Sequence, residues 1–150
     1  MATAETNEKS LVISVLSDSF QNTSTNSFIE SQIDKYLASL SVKHVLIGAF
    51  GRAVDVVIAS KLNSLSIPTI CYSVSQNEKH EWMIRTKVQK LVQVKYRVKP
   101  IIETYEKMIN KSEAVLAFWT GSTISNDVQM ALEYAKANEK HIITKTIPKG

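Results

Sequence analysis

Two kinds of apolar pattern alternate along this chain. Short runs of β-branched and aliphatic residues read as buried strands: Leu11–Leu16, His44–Ile47, Thr69–Ser73, Ala114–Trp119 and His141–Ile147. Between them, apolar positions recur every three or four residues, the spacing of one helix face. Phe28, Ile29, Ile33, Tyr36, Leu37 and Leu40 mark a first helix, entered at Asn26 or Ser27 after a polar loop over Gln21–Thr25. Val54, Val57, Ile58, Leu62 and Leu65 mark a second over Ala53–Leu65. Pro100–Asn110 and about Asn126–Ala137 are two more, and Pro100 suits a first helical turn. The stretch Val74–Lys99 fits two descriptions: Leu91–Tyr96 alternates as a strand, whereas Met83–Val94 also keeps helical spacing.

Runs that are apolar throughout belong to strands covered on both faces. Joined by helices, they predict an α/β, Rossmann-like fold: a parallel sheet of about five strands with helices on both faces and right-handed crossovers. Residues 11–150 form this single domain, and Met1–Ser10 reads as a flexible N-terminal arm. In such sheets ligands lie beyond the carboxyl ends of the strands. The segments there are Ser17–Ser19, Gly48–Arg52, Ser73–Gln76 and Thr120–Thr123.

Composition sets bounds on this picture. A chain of 150 residues that is 44% hydrophobic and 21% charged builds one ordinary core and is not disordered by composition. The lone Cys71 lies in an apolar run, which excludes an internal disulfide framework and predicts a buried thiol. No apolar stretch reaches the roughly 20 residues of a membrane span. The start is polar and acidic rather than basic then apolar, so the expected location is cytoplasmic and no membrane partner is expected. A net charge of +4 favours anions. The basic residues concentrate: Arg85, Lys87, Lys90, Lys95, Arg97 and Lys99 follow Glu81 with no further acid among them.

Gly48-Ala-Phe-Gly51-Arg52 joins a strand to a helix. Glycines there let the backbone approach a phosphate, and the helix start offers unpaired N–H groups and a positive dipole end. Arg52 adds a charged clamp, and Asp55 either stabilises the helix start or binds ribose hydroxyls. Ser17-Asp18-Ser19 brings two hydroxyls and a carboxylate to the same crevice. Trp119 offers a flat face for stacking a base, with Ser122 and Thr123 as donors beside it. His44, His80 and His141 have no metal-ligand spacing, so no metal or other cofactor is expected. Neither a phosphate-loop Gly-Lys-Ser/Thr nor a G-x-S-x-G elbow is present.

The strand–Gly-loop–helix order, then Tyr96-Arg97, then Ala114-Val-Leu-Ala-Phe-Trp-Thr-Gly121, then Ala131-Leu-Glu-Tyr-Ala-Lys136, resembles the SLOG superfamily. That group includes DNA-processing protein A, lysine-decarboxylase-like cytokinin-activating enzymes and predicted nucleotide sensors; its small stand-alone members are the most similar. The resemblance implies a Rossmann-like fold and a nucleotide-type ligand at the strand ends. It implies ligand contacts at Gly48, Gly51, Arg97, Trp119 and Gly121. The cytokinin-activating branch carries Gly-Gly-x-Gly-Thr-x-x-Glu, whereas this chain has Thr120-Gly-Ser-Thr-Ile-Ser-Asn-Asp-Val128. Asp127 and Glu133 are the carboxylates left as catalytic candidates.

Three readings follow. The first is a protein that senses or sequesters a nucleotide-derived small molecule: Ser17, Ser19, Gly51 and Arg52 on phosphate, Trp119 on the base, Asp55 or Asp127 on the sugar. The second is an enzyme cleaving an N-glycosidic bond of a nucleotide through Asp127 or Glu133. The third is a nucleic-acid-binding protein using Arg85–Lys99. A homodimer is also expected, and Met83, Val88, Leu91 and Val92 fit either its stripe or the core of the domain.

Overall fold

The computed structural model describes residues 11–17, 23–37, 41–50, 52–73, 81–95, 97–120 and 126–147. Their order is β1 (Leu11–Ser17), α1 (Thr23–Leu37), β2 (Val42–Gly48), α2 (Ala53–Ser64), β3 (Thr69–Ser73) and α3 (Glu81–Arg85). Then come β4 (Lys90–Gln93), α4 (Pro100–Asn110), β5 (Ala114–Thr120), α5 (Asn126–Ala137) and β6 (His141–Ile147). The six strands form one parallel sheet in the order β4-β3-β2-β1-β5-β6. The fold is the expected Rossmann-like α/β, with one strand more than the sequence pattern predicts.

The extra strand is β4. Its four residues pair with β3 from Ile70↔Lys90 to Ser73↔Gln93. Too short to show a period of its own, it resolves the two descriptions of Val74–Lys99: a five-residue helix, a left-handed turn at Lys87 (φ 56°), then the strand. Helix α1 begins at Thr23, three residues before the expected cap, so part of the polar Gln21–Thr25 segment is helical. The stripe Met83, Val88, Leu91 and Val92 is core of the same chain. Met83 and Val88 are buried, and Leu91 and Val92 pack into different apolar clusters.

Alternation across the pleat divides the core in two. Ile13, Val15, Val45, Ile47, Cys71, Leu116 and Phe118 face α1, α2 and α3 through Ile29, Ile33, Val54, Ile58, Leu62 and Met83. Leu16, Leu46, Tyr72, Val115 and Ala117 face α4 and α5 through Tyr105, Met108, Ile109, Val128 and Ala131. Each such large aliphatic side chain contributes about 1.5–3 kcal/mol on burial. Among the described residues, no helix is long and apolar enough to cross a membrane.

Helix ends follow local chemistry. Helix α2 stops where the Ser66 and Ile67 N–H groups bond back to Asn63 and Leu62 and Ser66 turns left-handed (φ 58°), with Pro68 beyond. Helix α5 ends the same way: the Lys140 N–H reaches the Ala135 carbonyl across Glu139, φ 58°. Helix α4 opens on Pro100, whose missing N–H costs nothing in a first turn.

Candidate functional site

From β1 the chain walks outward to β4, then crosses back through α4 to place β5 on the other side of β1. The connections leaving β1 and β5 therefore go to opposite faces, and the strand order reverses between them. A crevice opens at such a switch point, outside the carboxyl ends. Ser17 ends β1 there, paired with Phe118 of β5.

The β2–α2 turn closes the floor of this crevice. The Asp55 side chain is 1% exposed, and its oxygens accept four hydrogen bonds. The Phe50 N–H (2.9 Å) and Arg52 N–H (3.2 Å) donate to Oδ2. Arg52 Nε (3.2 Å) and Nη2 (2.8 Å) donate to Oδ1. An acidic residue at the third helical position satisfies the orphan donors of a helix start, and this one reaches into the turn before it as well.

Arg52 is as fully engaged as its partner. Nη1 donates to the Ser17 carbonyl at 2.6 Å and Nη2 to the Tyr105 hydroxyl at 3.3 Å. The guanidinium lies over the Phe50 ring, 5.1 Å from its centroid, and its side chain is 15% exposed. Burial by itself lowers the arginine pKa; the Tyr105 hydroxyl and the Asp55 carboxylate, each hydrogen-bonded to it, more than reverse this, holding the group firmly cationic. Tyr105, wholly buried on α4, donates its own hydroxyl to the Ser17 carbonyl at 3.3 Å. Burial raises its pKa, against the pull of Arg52. Three elements thus meet on one carbonyl at the end of β1.

Phe50 explains Gly48. The ring folds back over Gly48, where a Cβ would meet Cε2 and, at 2.6 Å, Cζ. It also stands edge-on to Tyr105, centroids 5.5 Å apart at 78°. A side chain at position 48 would therefore have to displace this ring.

A second carboxylate fills the start of α4. Glu103 accepts the backbone N–H groups of Arg97 (2.8 Å), Val98 (2.9 Å) and Lys99 (2.8 Å). These three bonds, from Lys99, Arg97 and Val98, with the Arg97 charge, hold its pKa down to about 2. The helix start that precedes β5 already holds an anion of its own chain.

The sequence candidates separate accordingly. Ser17, Gly48, Arg52 and Asp55 come together; Arg52 and Asp55 are bonded to each other, Arg52 also to Ser17 and Tyr105, and Asp55 takes the helix-start role. Trp119 is half-buried near the end of β5, packed against the α4–α5 side of the core. Asp127, in the first turn of α5, lines a shallow recess of about 250 Å³ with Val98–Ile102 and Asn126. Glu133 is exposed and lies roughly 10 Å along α5 from that end, which separates it from the crevice. Arg97 is exposed at the foot of α4. Asp18, Ser19, Gly51, Gly121, Ser122 and Thr123 lie outside the described residues. Tyr105 and Glu103 were missed by sequence reasoning. A tyrosine inside the apolar stripe of α4, needing a buried partner, and an acid four residues after its cap were the available signals.

A roomier apolar recess of about 390 Å³ opens at the opposite, amino end of the sheet, lined by Leu11, Ile13, Tyr36, Ala114, Leu116 and Ile143 among others. The carboxyl end of α1, with Lys35, Tyr36 and Leu37, walls it over the amino ends of β1, β5 and β6. Polar groups converge instead at the switch point. Among the described residues, no group of three His, Cys, Asp or Glu is placed to hold a metal.

No family model and no curated protein matches this chain. Its fold is that of a solved protein. The molybdenum cofactor binding protein from the phototrophic bacterium Rippkaea orientalis superposes with a TM-score of 0.68, at 17% identity, over 91% of this chain and 76% of that one. At that identity the likeness is one of architecture.

Proposed function

We propose that the protein binds a phosphate-bearing, nucleotide-like small molecule in the crevice between the carboxyl ends of β1 and β5. The observation that carries the reading is the reversal of strand order between those strands, with Ser17, Trp119 and the start of α5 around it. Asp55 accepts the N–H groups of Phe50 and Arg52 just before α2, and Glu103 those of Arg97, Val98 and Lys99 just before α4, so a carboxylate of the chain itself lies against each of these helix starts. In this reading the phosphate therefore falls to Ser17–Ser19 and to Gly121-Ser122-Thr123, which lead into α1 and α5. Trp119 supplies the apolar wall for a base, and Asp127 reads sugar hydroxyls. The Arg52–Asp55–Tyr105 cluster holds the floor rigid.

The resemblance to the SLOG superfamily supports a nucleotide-type ligand, and the molybdenum cofactor binding protein shows the same fold serving a small molecule. The described residues offer that cofactor's metal no ligand cluster, and Cys71 is buried, so no step is derived through it. Binding rather than N-glycosidic cleavage is the better reading, because Glu133 stands off the crevice and Asp127 is the one carboxylate among the described residues that line its recess.

A thermal-shift screen against mononucleotides, cyclic dinucleotides, ADP-ribose and the molybdenum cofactor tests this. At a hundredfold excess over Kd, binding adds about 2.7 kcal/mol, a rise of roughly 5–11 °C for a domain of this size. Recovery of the intact ligand after long incubation fits a binding protein, whereas a released base establishes the enzyme. No shift with any member of the set overturns the reading.

A further inference from the structure

The +4 charge of the chain comes from one edge of the sheet. Between Trp82 and Ile102 stand six Lys and Arg residues and no acid, while the rest of the chain carries twelve cations against fourteen acids. The fold strings this segment along edge strand β4 and the turns that flank it. Lys87, Lys90, Lys95, Arg97 and Lys99 are all exposed. The ion pairs among the described residues, Arg52–Asp55 and Lys61–Asp34, involve none of them. From Lys87 to Lys95 the strip runs at most about 26 Å of extended chain.

Two further details single out this edge. Ile84 and Val98, 65% and 76% exposed, stand beside the strip beyond the two ends of β4. The segment Arg97-Val98-Lys99 is also held in a fixed shape, because Glu103 accepts all three of its backbone N–H groups. Two cations and an aliphatic side chain are thereby presented on a braced turn rather than a loose one. Lysines alone on an edge strand serve to block strand pairing; a braced turn with an exposed valine between cations is not needed for that.

We propose that the β4 edge is a docking surface for an extended, single-stranded nucleic acid. Lys87, Lys90, Lys95, Arg97 and Lys99 meet its phosphates, and Ile84 and Val98 meet sugar or base faces that only an unpaired strand exposes. A phosphodiester chain carries one charge per unit whatever its sequence, which matches five exposed cations beside a single carboxylate, Glu103, that is already held by the backbone of Arg97–Lys99; an acidic peptide seldom does. The two aliphatics lie too far apart, with the strand between them, to form the continuous apolar face that membrane insertion requires. This surface is distinct from the switch-point crevice, and the proposal does not depend on what binds there.

Fluorescence anisotropy of the full chain with labelled oligothymidylate and oligouridylate tests it across salt. Five phosphate contacts predict a slope of log K against log salt of about −3.5, a loss of roughly 100-fold between 50 and 200 mM. Replacing three of them in Lys90→Gln/Lys95→Gln/Lys99→Gln lowers the slope to about −1.4. A matched variant, Lys43→Gln/Lys107→Gln/Lys136→Gln, changes net charge equally on other exposed positions and keeps the parent slope. Circular dichroism confirms that both variants fold. The proposal is overturned by equal loss in both variants, by tighter binding to duplex, polyglutamate or phosphatidylserine vesicles, or by absence of binding at 50 mM salt.

Discussion

Replacing Asp55 by alanine removes the acceptor of four hydrogen bonds at once and leaves the Arg52 guanidinium without its counter-charge. Breaking a buried pair by deleting one partner costs about 3–5 kcal/mol, because the surviving charge stays buried and uncompensated. Arg52 keeps the Ser17 carbonyl and the Tyr105 hydroxyl, and its side chain is 15% exposed, which puts the loss near the low end, about 3 kcal/mol. For a domain of this size that lowers Tm by roughly 6–12 °C. Urea titration followed by circular dichroism measures the free energy, with the slope m unchanged if only stability has moved. Arg52→Ala and the double variant complete the cycle. The double variant removes the stranded charge together with its partner, so its cost falls short of the sum of the singles by at least about 1.5 kcal/mol. A loss below about 1 kcal/mol in Asp55→Ala, or strict additivity in the cycle, refutes the claim that this pair locks the β2–α2 turn.

Other expectations follow from the same geometry. Tyr105→Phe deletes the hydroxyl bonded to the Ser17 carbonyl and to Arg52, and costs about 1–1.5 kcal/mol by urea midpoint. Gly48→Ala drives the Phe50 ring off its contact with Tyr105 and costs about 1–3 kcal/mol, and adding Phe50→Ala recovers part of this loss. Glu139→Gly relieves a left-handed residue at the end of α5 and raises stability by about 1 kcal/mol. Glu103 has a folded pKa of about 2 against an ordinary 4.5, so its contribution is complete above the ordinary value and fades as pH falls from there through the folded one. The stability gap between the parent and Glu103→Gln is therefore constant near neutrality and shrinks from about pH 4.5 to 2; a gap independent of pH contradicts the clamp.

The sheet was legible because its strands are apolar runs with both faces covered. Thr69–Ser73, Pro100–Asn110 and His141–Ile147 have the predicted ends. Strand β4 was not, since four residues on an edge, two exposed and two half-covered, leave no periodic signature. At the site, the strand-to-helix turn and the helix-start role open to Asp55 were legible. Arg52 read as a phosphate clamp, but which partner an arginine takes depends on what the fold brings beside it. Here that is the Ser17 carbonyl and Tyr105, respectively 35 and 53 residues away along the chain. A carboxylate in the first turn of a helix lies where an incoming anion would, and Asp55 and Glu103 both hold backbone N–H groups just before α2 and α4.

The most direct test of the switch-point crevice is to map backbone amide chemical shifts of the full chain as the best ligand of the thermal-shift screen is added. Perturbations concentrated at residues 17–19 and 119–127, with the Asp55–Arg52 turn little changed, are the predicted result. Shifts centred on Leu11, Glu113 and His141 at the amino end of the sheet, or along β4 alone, contradict it.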